Sequence, residues 1–318
     1  MKLFQLMILL SCFSSLLMAK QLKFNKVIND NQVQFHYLWL DQDQQQHALS
    51  FAIQKTAVFN DFRNFKAFKS QRAQRYVNLQ LAKTLSQQPL DGVQLKFLPA
   101  STEFTITIKA ESALNIRQAK EKIQRMQHQL MQQYLADNFY HQFVNYDHST
   151  AIKPDHLRFA QDSISHFNNV KIAVLSQLAN QDARTVINYV LSFVQAIPYA
   201  TLASRVTASG AGFNPPLQLL WQNQGDCDSK VTLTAAILAA LLPQLKMQLL
   251  FINNHALMAF NIPSQGQERT VTIAGQVYVL AEPTGPAAMR IGEVSPEAEF
   301  AIRNNRYYSE AFINTRSL

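Results

Sequence analysis

The stretch Gly225-Asp226-Cys227-Asp228-Ser229-Lys230 runs directly into Val231-Thr232-Leu233-Thr234-Ala235-Ala236-Ile237-Leu238, and its reading decides the C-terminal half of the chain. Asp226 is an N-cap residue by type, and Asp228 and Ser229 suit a first helical turn, so a helix is expected to start near Cys227. The apolar run continues to Leu242 and is stopped by Pro243 and Lys246, too early to span a membrane. Cys227 then sits in the first turn, where unpaired backbone N–H groups carry partial positive charge and favour thiolate over thiol. The flanking Asp226 and Asp228 oppose that shift, and Lys230, three positions on, is expected to offset them in part. Gly225 permits close approach of a substrate backbone.

Downstream, short strands are expected at 247–252, 256–261, 270–273 and 277–281. A nucleophilic sulfur needs a base that can also return a proton to the leaving group, and histidine is the usual choice. Of eight histidines, His255 is the one in a suggestive place: Asn253-Asn254-His255-Ala256-Leu257-Met258 enters a strand 28 residues after Cys227. The far ring nitrogen needs an acceptor. Glu282, in Tyr278-Val279-Leu280-Ala281-Glu282-Pro283-Thr284, closes a neighbouring strand. Taken singly, each residue has a structural reading: a small buried hydrophobe, a satisfied core histidine, a surface carboxylate. In this order and spacing they are candidates for nucleophile, base and orienting acid.

These pieces resemble the transglutaminase-like superfamily, a papain-type fold. The resemblance covers roughly Val186 to Gly285: the lead-in Phe193-Val194-Gln195-Ala196-Ile197-Pro198-Tyr199, then Pro215–Trp221, the Gly-Asp-Cys helix, His-Ala, and the strand ending in Glu-Pro-Thr. It implies an exported cysteine protease or amidase in which Cys227 forms a thioester, His255 is the base and Glu282 orients it. Water would resolve the thioester in a hydrolase, an amine in a transglutaminase. The Cys227 N–H would be one oxyanion donor, with Gln218, Trp221 and Gln222 as candidates for a second. The sequence departs from the family pattern at Glu282, where Asp is usual, and at Leu257, where an aromatic is frequent. Glu for Asp supports an alternative: an inactive copy of the fold that binds a peptide or envelope protein.

Residues 21–146 read as an α+β unit outside the resemblance. Val33, Phe35, Tyr37 and Trp39 alternate with other residues as a strand does, and Leu49, Phe51 and Ile53 follow after a polar loop, so a hairpin is expected. Phe62, Phe65, Phe68, Tyr76, Leu79 and Leu85 predict a helix ending before Pro89. Arg63, Lys66, Lys69, Arg72 and Arg75 recur every third residue and would wrap round that helix as solvated charge. A second hairpin is expected from Val93, Leu95, Phe97, Phe104, Ile106 and Ile108. Ile116, Ala119, Ile123, Met126 and Leu130 mark one buried face of a long helix. Asn145 to Pro154 breaks the pattern and suggests a boundary. The expected organisation is a leader (1–19), an N-terminal α+β accessory domain (20–150) and a transglutaminase-like α+β domain (151–318), its cysteine-bearing helix packed on an antiparallel sheet. The segment 182–196 is expected to be helical, and the tail from Glu293 reads as polar and mixed.

The first nineteen residues, one lysine followed by an apolar run ending in small residues, have the order of a cleaved secretory signal, which places the protein in the periplasm or outside the cell. Lipidation of Cys12 is a lesser reading. Without the leader, Cys227 is the only thiol of the two cysteines. The 318 residues, 47% of them hydrophobic, suffice for a real core. The formal net charge is +8, which favours anionic envelope surroundings, but no basic run or RNA-binding signature points to nucleic acid. The expected partner is a protein or peptide substrate in the envelope. No Gly-rich nucleotide loop, Gly-x-Ser-x-Gly, His-x3-His or Cys-x2-Cys occurs, so no cofactor or metal is expected.

Overall fold

A computed structural model describes residues 18–99, 104–202 and 212–314. The chain opens with β1 (Lys20–Ile28), β2 (Gln32–Leu40) and β3 (Gln46–Gln54), followed by α1 (Lys55–Asn60) and α2 (Ser70–Gln87). The hairpin β4 (Val93–Pro99) and β5 (Phe104–Ala110) leads into α3 (Ala113–Asp137), and a second hairpin joins β6 (Tyr140–Val144) to β7 (Thr150–Pro154). Helices α4 (His156–Ser163), α5 (Asn168–Leu175), α6 (Ala183–Ala196), α7 (Pro216–Gln222) and α8 (Cys227–Leu241) come next. The last elements are β8 (Met247–Ile252), β9 (His255–Phe260), β10 (Thr270–Ile273), β11 (Gln276–Ala281), α9 (Pro296–Arg303) and β12 (Tyr308–Phe312). Every paired strand runs antiparallel, in sheets ordered β1-β2-β3 and β10-β11-β9-β8-β12 and in the two isolated hairpins. The architecture is α+β.

Helix α8 is the centre. All its residues except Asp228 are buried, as expected of a helix apolar on every side. Its interior hydroxyls are satisfied locally: Thr232 donates to the Asp228 carbonyl at 2.7 Å and Thr234 to the Lys230 carbonyl at 2.8 Å. Leu249, Met258, Phe260 and Val279, from the five-stranded sheet, share its buried cluster.

That cluster also contains Val33, Phe35, Tyr37, Trp39, Leu49, Phe51 and Ile53, the alternating residues of β2 and β3. Phe35 pairs with Phe51 and Tyr37 with Leu49, so one face of the sheet is continuously apolar. Trp39 Nε1 donates to Ser192 Oγ of α6 at 3.1 Å, and Phe193 meets the Tyr37 ring edge-on at 4.9 Å. The core therefore does not divide at residue 150, because the first sheet packs with the C-terminal helices. A separate buried cluster is made by Leu81, Leu85, Leu90, Ala119 and Ile123, from α2, α3 and the segment between α2 and β4.

Other expectations differ in detail. The helix expected from Phe62 starts only at Ser70, because Phe62, Phe65 and Phe68 are drawn into an aromatic cluster with Phe139, Tyr140, Phe159 and Phe213. The break at 145–154 is the turn and second strand of the β6–β7 hairpin. The polar tail contains α9 and β12, and β12 completes the sheet beside β8. Residues 1–17, with Cys12 and most of the expected leader, lie outside the described residues. No helix among the described residues is long and apolar enough to cross a membrane.

Candidate functional site

The N-terminus of α8 opens into a cleft of about 390 Å³. Asp226 caps the helix: its side chain accepts the Ser229 backbone N–H at 3.0 Å and also takes the Ser229 hydroxyl. This cap sets Cys227 in the first turn, facing the cleft, 8% exposed. Gly225 is needed here because a Cβ would stand 2.6 Å from a Leu219 side-chain carbon, and its bridge to Tyr199 brings the lead-in segment alongside.

His255, at the first position of β9, lines the same cleft with its side chain 18% exposed. Strands β9 and β11 are neighbours, which brings Glu282, one residue past β11, to His255: Nε2 and Oε1 are 2.8 Å apart. The other carboxylate oxygen accepts the Ser295 backbone N–H at 2.9 Å, at the cap of α9. Burial pushes the Glu282 carboxyl up, but the His255 bond and the Ser295 N–H outweigh it and hold it below the usual carboxylate range. A charged acceptor on Nε2 places the ring proton there and leaves Nδ1 as the lone-pair nitrogen. The longer Glu reaches the ring despite the departure from Asp. Cys227, His255 and Glu282 are thus brought together, two on the cleft wall and the third behind the imidazole.

The expected thiolate is not found. Burial, then the Asp228 and Asp226 charges, push the Cys227 thiol well up, and the Ala256 N–H opposes this only in part. The thiol donates to Asp228 Oδ1 at 3.5 Å. Lys230 offsets nothing at the sulfur. It is fully buried on another side of the helix and donates to the carbonyls of Ile197 at 2.5 Å and Gln195 at 3.5 Å. Burial lowers its pKa to about 7. Asp226 is raised to about 7 by burial and by Asp228. Asp228 is raised by burial, against the Cys227 bond and the Lys153 and His255 charges.

The oxyanion candidates require correction. Gln218, Trp221 and Gln222 do not line this cleft. They line another cavity, with Phe59, Arg63 and Lys66, between α7 and the segment around α1. Gln222 accepts from Asn214 Nδ2 at 2.8 Å, and the Trp221 ring lies under Lys26 Nζ at 3.6 Å. The short helix α7 turns these side chains away before the chain reaches Cys227. Tyr199 is the hydroxyl-bearing aromatic in the cleft instead, half exposed. Its phenol is pushed up by burial and by the Cys227, Asp226 and Asp228 charges. Tyr199 ends the lead-in segment Phe193–Tyr199, where no local sequence signal marks it for this role.

Local sequence reading also misses the opposite wall. Phe143, Ala151, Ile152 and Lys153 of the β6–β7 hairpin line the cleft. Lys153 is held by Glu310 of β12 at 3.1 Å and lies 3.2 Å from the centre of the Phe251 ring. Burial lowers it to about 8, against the Glu310 charge. The only signal was the lysine inside the pattern break. Among the described residues, no group of three or more His, Cys, Asp or Glu side chains is arranged to hold a metal ion.

Comparison of the chain with family models, curated proteins and solved structures returns no match.

Proposed function

We propose that this protein is an exported cysteine-dependent acyl-transfer enzyme of transglutaminase-like type, hydrolysing an amide or peptide bond. The observation that carries the reading is the His255–Glu282 bond of 2.8 Å on the wall of a cleft that also holds Cys227 at a helix N-terminus. The thiol is neutral at rest, so attack is coupled to proton transfer. Cys227 Sγ bonds to the substrate carbonyl carbon as His255 Nδ1 takes the thiol proton, and Glu282 stabilises the resulting imidazolium. The Cys227 N–H and the Tyr199 hydroxyl are the donors best placed for the developing oxyanion. His255 returns the proton to the leaving amine, which departs as the C–N bond breaks. Water, deprotonated by His255, then attacks the thioester and releases the acid and the thiol.

A second reading is an inactive copy that binds a peptide, favoured by the raised thiol and its 8% exposure. Reaction with p-nitrophenyl acetate separates the two. The enzyme reading expects a nitrophenol burst stoichiometric with protein, a hydroxylamine-labile adduct mapped to Cys227, and loss of both in Cys227→Ala and His255→Ala. A native protein that never acylates at Cys227, or acylates as fast without His255, removes the enzyme from consideration.

A further inference from the structure

Glu282 is placed by more than its own sheet. The β9–β11 ladder closes with Ala281 opposite Met258, so Glu282 lies one residue beyond the last pair, at the head of a loop that runs to α9. A glutamate has one more rotatable bond than an aspartate. Its carboxylate can stay 2.8 Å from His255 Nε2 only if the main chain beneath it is fixed.

That main chain is held from α6. Gln195, buried near the end of the helix, commits its whole side-chain amide to the loop. Its Nε2 donates to the Glu282 carbonyl at 2.9 Å and to the Met289 carbonyl at 2.8 Å, and its Oε1 accepts the Met289 N–H at 3.2 Å. The two bonds with Met289 reproduce the exchange between paired residues of an antiparallel ladder, and the third ties the start of the loop to the same point. A carboxamide suits the place because it carries two donors and an acceptor in one plane. The loop also lies against the Gln195 main chain: a Cβ on Gly285 would run into the Gln195 carbonyl oxygen. Asn188, two turns earlier on the same helix face, accepts the Ile291 N–H at 2.8 Å. Gln195 is tied in turn to the helix of the nucleophile, because Lys230, one turn after Cys227, donates to the carbonyls of Gln195 and Ile197. One residue thus connects the helix that carries Cys227 to the loop that carries Glu282.

Resting on the proposed reading of Cys227, His255 and Glu282 as an acyl-transfer triad, we infer that Gln195 is its positioning residue: the amide fixes the Glu282 main chain where the carboxylate meets His255 Nε2, which keeps the ring proton on Nε2 and leaves Nδ1 as the base. Without the amide, the carbonyls of Glu282 and Met289 and the Met289 N–H lose a buried partner, and the loop must shift to satisfy them. A shift of about 1 Å at the carboxylate is enough to release the imidazole.

The test is Gln195→Met on the full chain, which keeps the length of the side chain and deletes the amide. The first reading is the His255 tautomer, by heteronuclear NMR of protein labelled at histidine, with the resonance assigned from His255→Ala. Neutral His255 should carry its proton on Nε2 in the wild type and become a mixture of the two tautomers in the variant. The second reading is the nitrophenol burst: acylation of Cys227 should slow by about 10- to 100-fold, as a misplacement of about 1 Å does. Asn188→Leu removes a bond to the same loop farther from Glu282 and should leave both readings as in the wild type. A tautomer indifferent to Gln195→Met, an unchanged rate in a protein that acylates, or an equal loss in Asn188→Leu overturns the inference. Should Gln195→Met fail to fold, Gln195→Asn, whose amide ends one methylene short of the Glu282 carbonyl, gives the same two readings with the same expected outcomes. The tautomer is read without turnover, so a protein whose tautomer depends on Gln195 but which never acylates would lose the enzyme reading alone.

Discussion

Two histidine–carboxylate pairs flank one sulfur, and they are built in opposite senses. His255 and Glu282 meet at 2.8 Å at the edge of the cleft, and a backbone N–H holds the second carboxylate oxygen. His156 and Asp228 stand 3.7 Å apart, the imidazole sealed between Phe213 and Phe251 and the carboxylate bonded to the thiol. In the first pair the bonds outweigh burial, and the Glu282 carboxyl is held down. In the second, burial drives the Asp228 carboxyl up, and burial with the Lys153 and His141 charges drives the imidazole down, so both are pushed toward their uncharged forms. The same two residue types thus yield a tight orienting pair or a looser, sealed one, according to a difference in separation of about one ångström and the number of donors that reach the carboxylate.

The comparison breaks most visibly at Glu282. Glu282→Gln keeps the size but can offer an amide donor to Nε2, which moves the ring proton to Nδ1 and removes the base. Acylation of Cys227 should fall by roughly 10²- to 10⁴-fold, as wrong-tautomer variants of such triads do. Equal burst rates in wild type and variant would show that Glu282 is only structural. Asp228→Asn is expected to act in the other direction on the resting thiol. Removing the neighbouring charge should lower the iodoacetamide labelling midpoint by about one pH unit or more. An unmoved midpoint would mean that this carboxylate does not govern the sulfur. His156→Phe keeps an aromatic ring between Phe213 and Phe251 and deletes Nε2, and the acylation rate should change by less than about tenfold. A loss as large as that of His255→Ala would make the two pairs equivalent and undo the distinction.

The smallest effect concerns stability around the helix cap. Asp226 is raised in the folded state to about 7, from an ordinary 3.8, so the folded chain holds a proton that the unfolded chain releases. Stability from this group is complete at low pH and is lost as pH rises toward 7. Lys230 is lowered to about 7 from 10.5, so its burial costs most at and below pH 7, and stability recovers as pH rises above it. These two groups together place a shallow stability minimum near neutrality. Asp226→Asn retains a good N-cap. It should flatten the fall in melting temperature between pH 4 and 7 by a few °C, on the order of one to two kcal/mol. Parallel curves for wild type and Asp226→Asn would show that the cap carboxyl is not buried against its charge.

Much of the fold is legible where side-chain periodicity and local chemistry agree. The alternation of Val33, Phe35, Tyr37 and Trp39 decides β2, and Asp226 followed by an apolar run decides where α8 starts. The order of Cys227, His255 and Glu282 is likewise local: one residue at a helix start, one at a strand start and one at a strand end. What periodicity misses is set by distant partners. Phe62 and Phe65 carry helical spacing but answer to Phe139, Phe159 and Phe213, and β12 is a strand because β8 has an edge to fill.

The sequence alone therefore determined which residues could form a nucleophile, a base and an orienting acid, because a helix cap and strand ends are written within a few positions of the chain. Only the tertiary structure decided the state of the thiol, the exclusion of Gln218, Trp221 and Gln222 from its cleft, and the use of the β6–β7 hairpin as a wall. Each of these depends on burial and on charges brought from far along the chain. Ionisation answers to the whole surroundings of an atom, and no local pattern of residues encodes them.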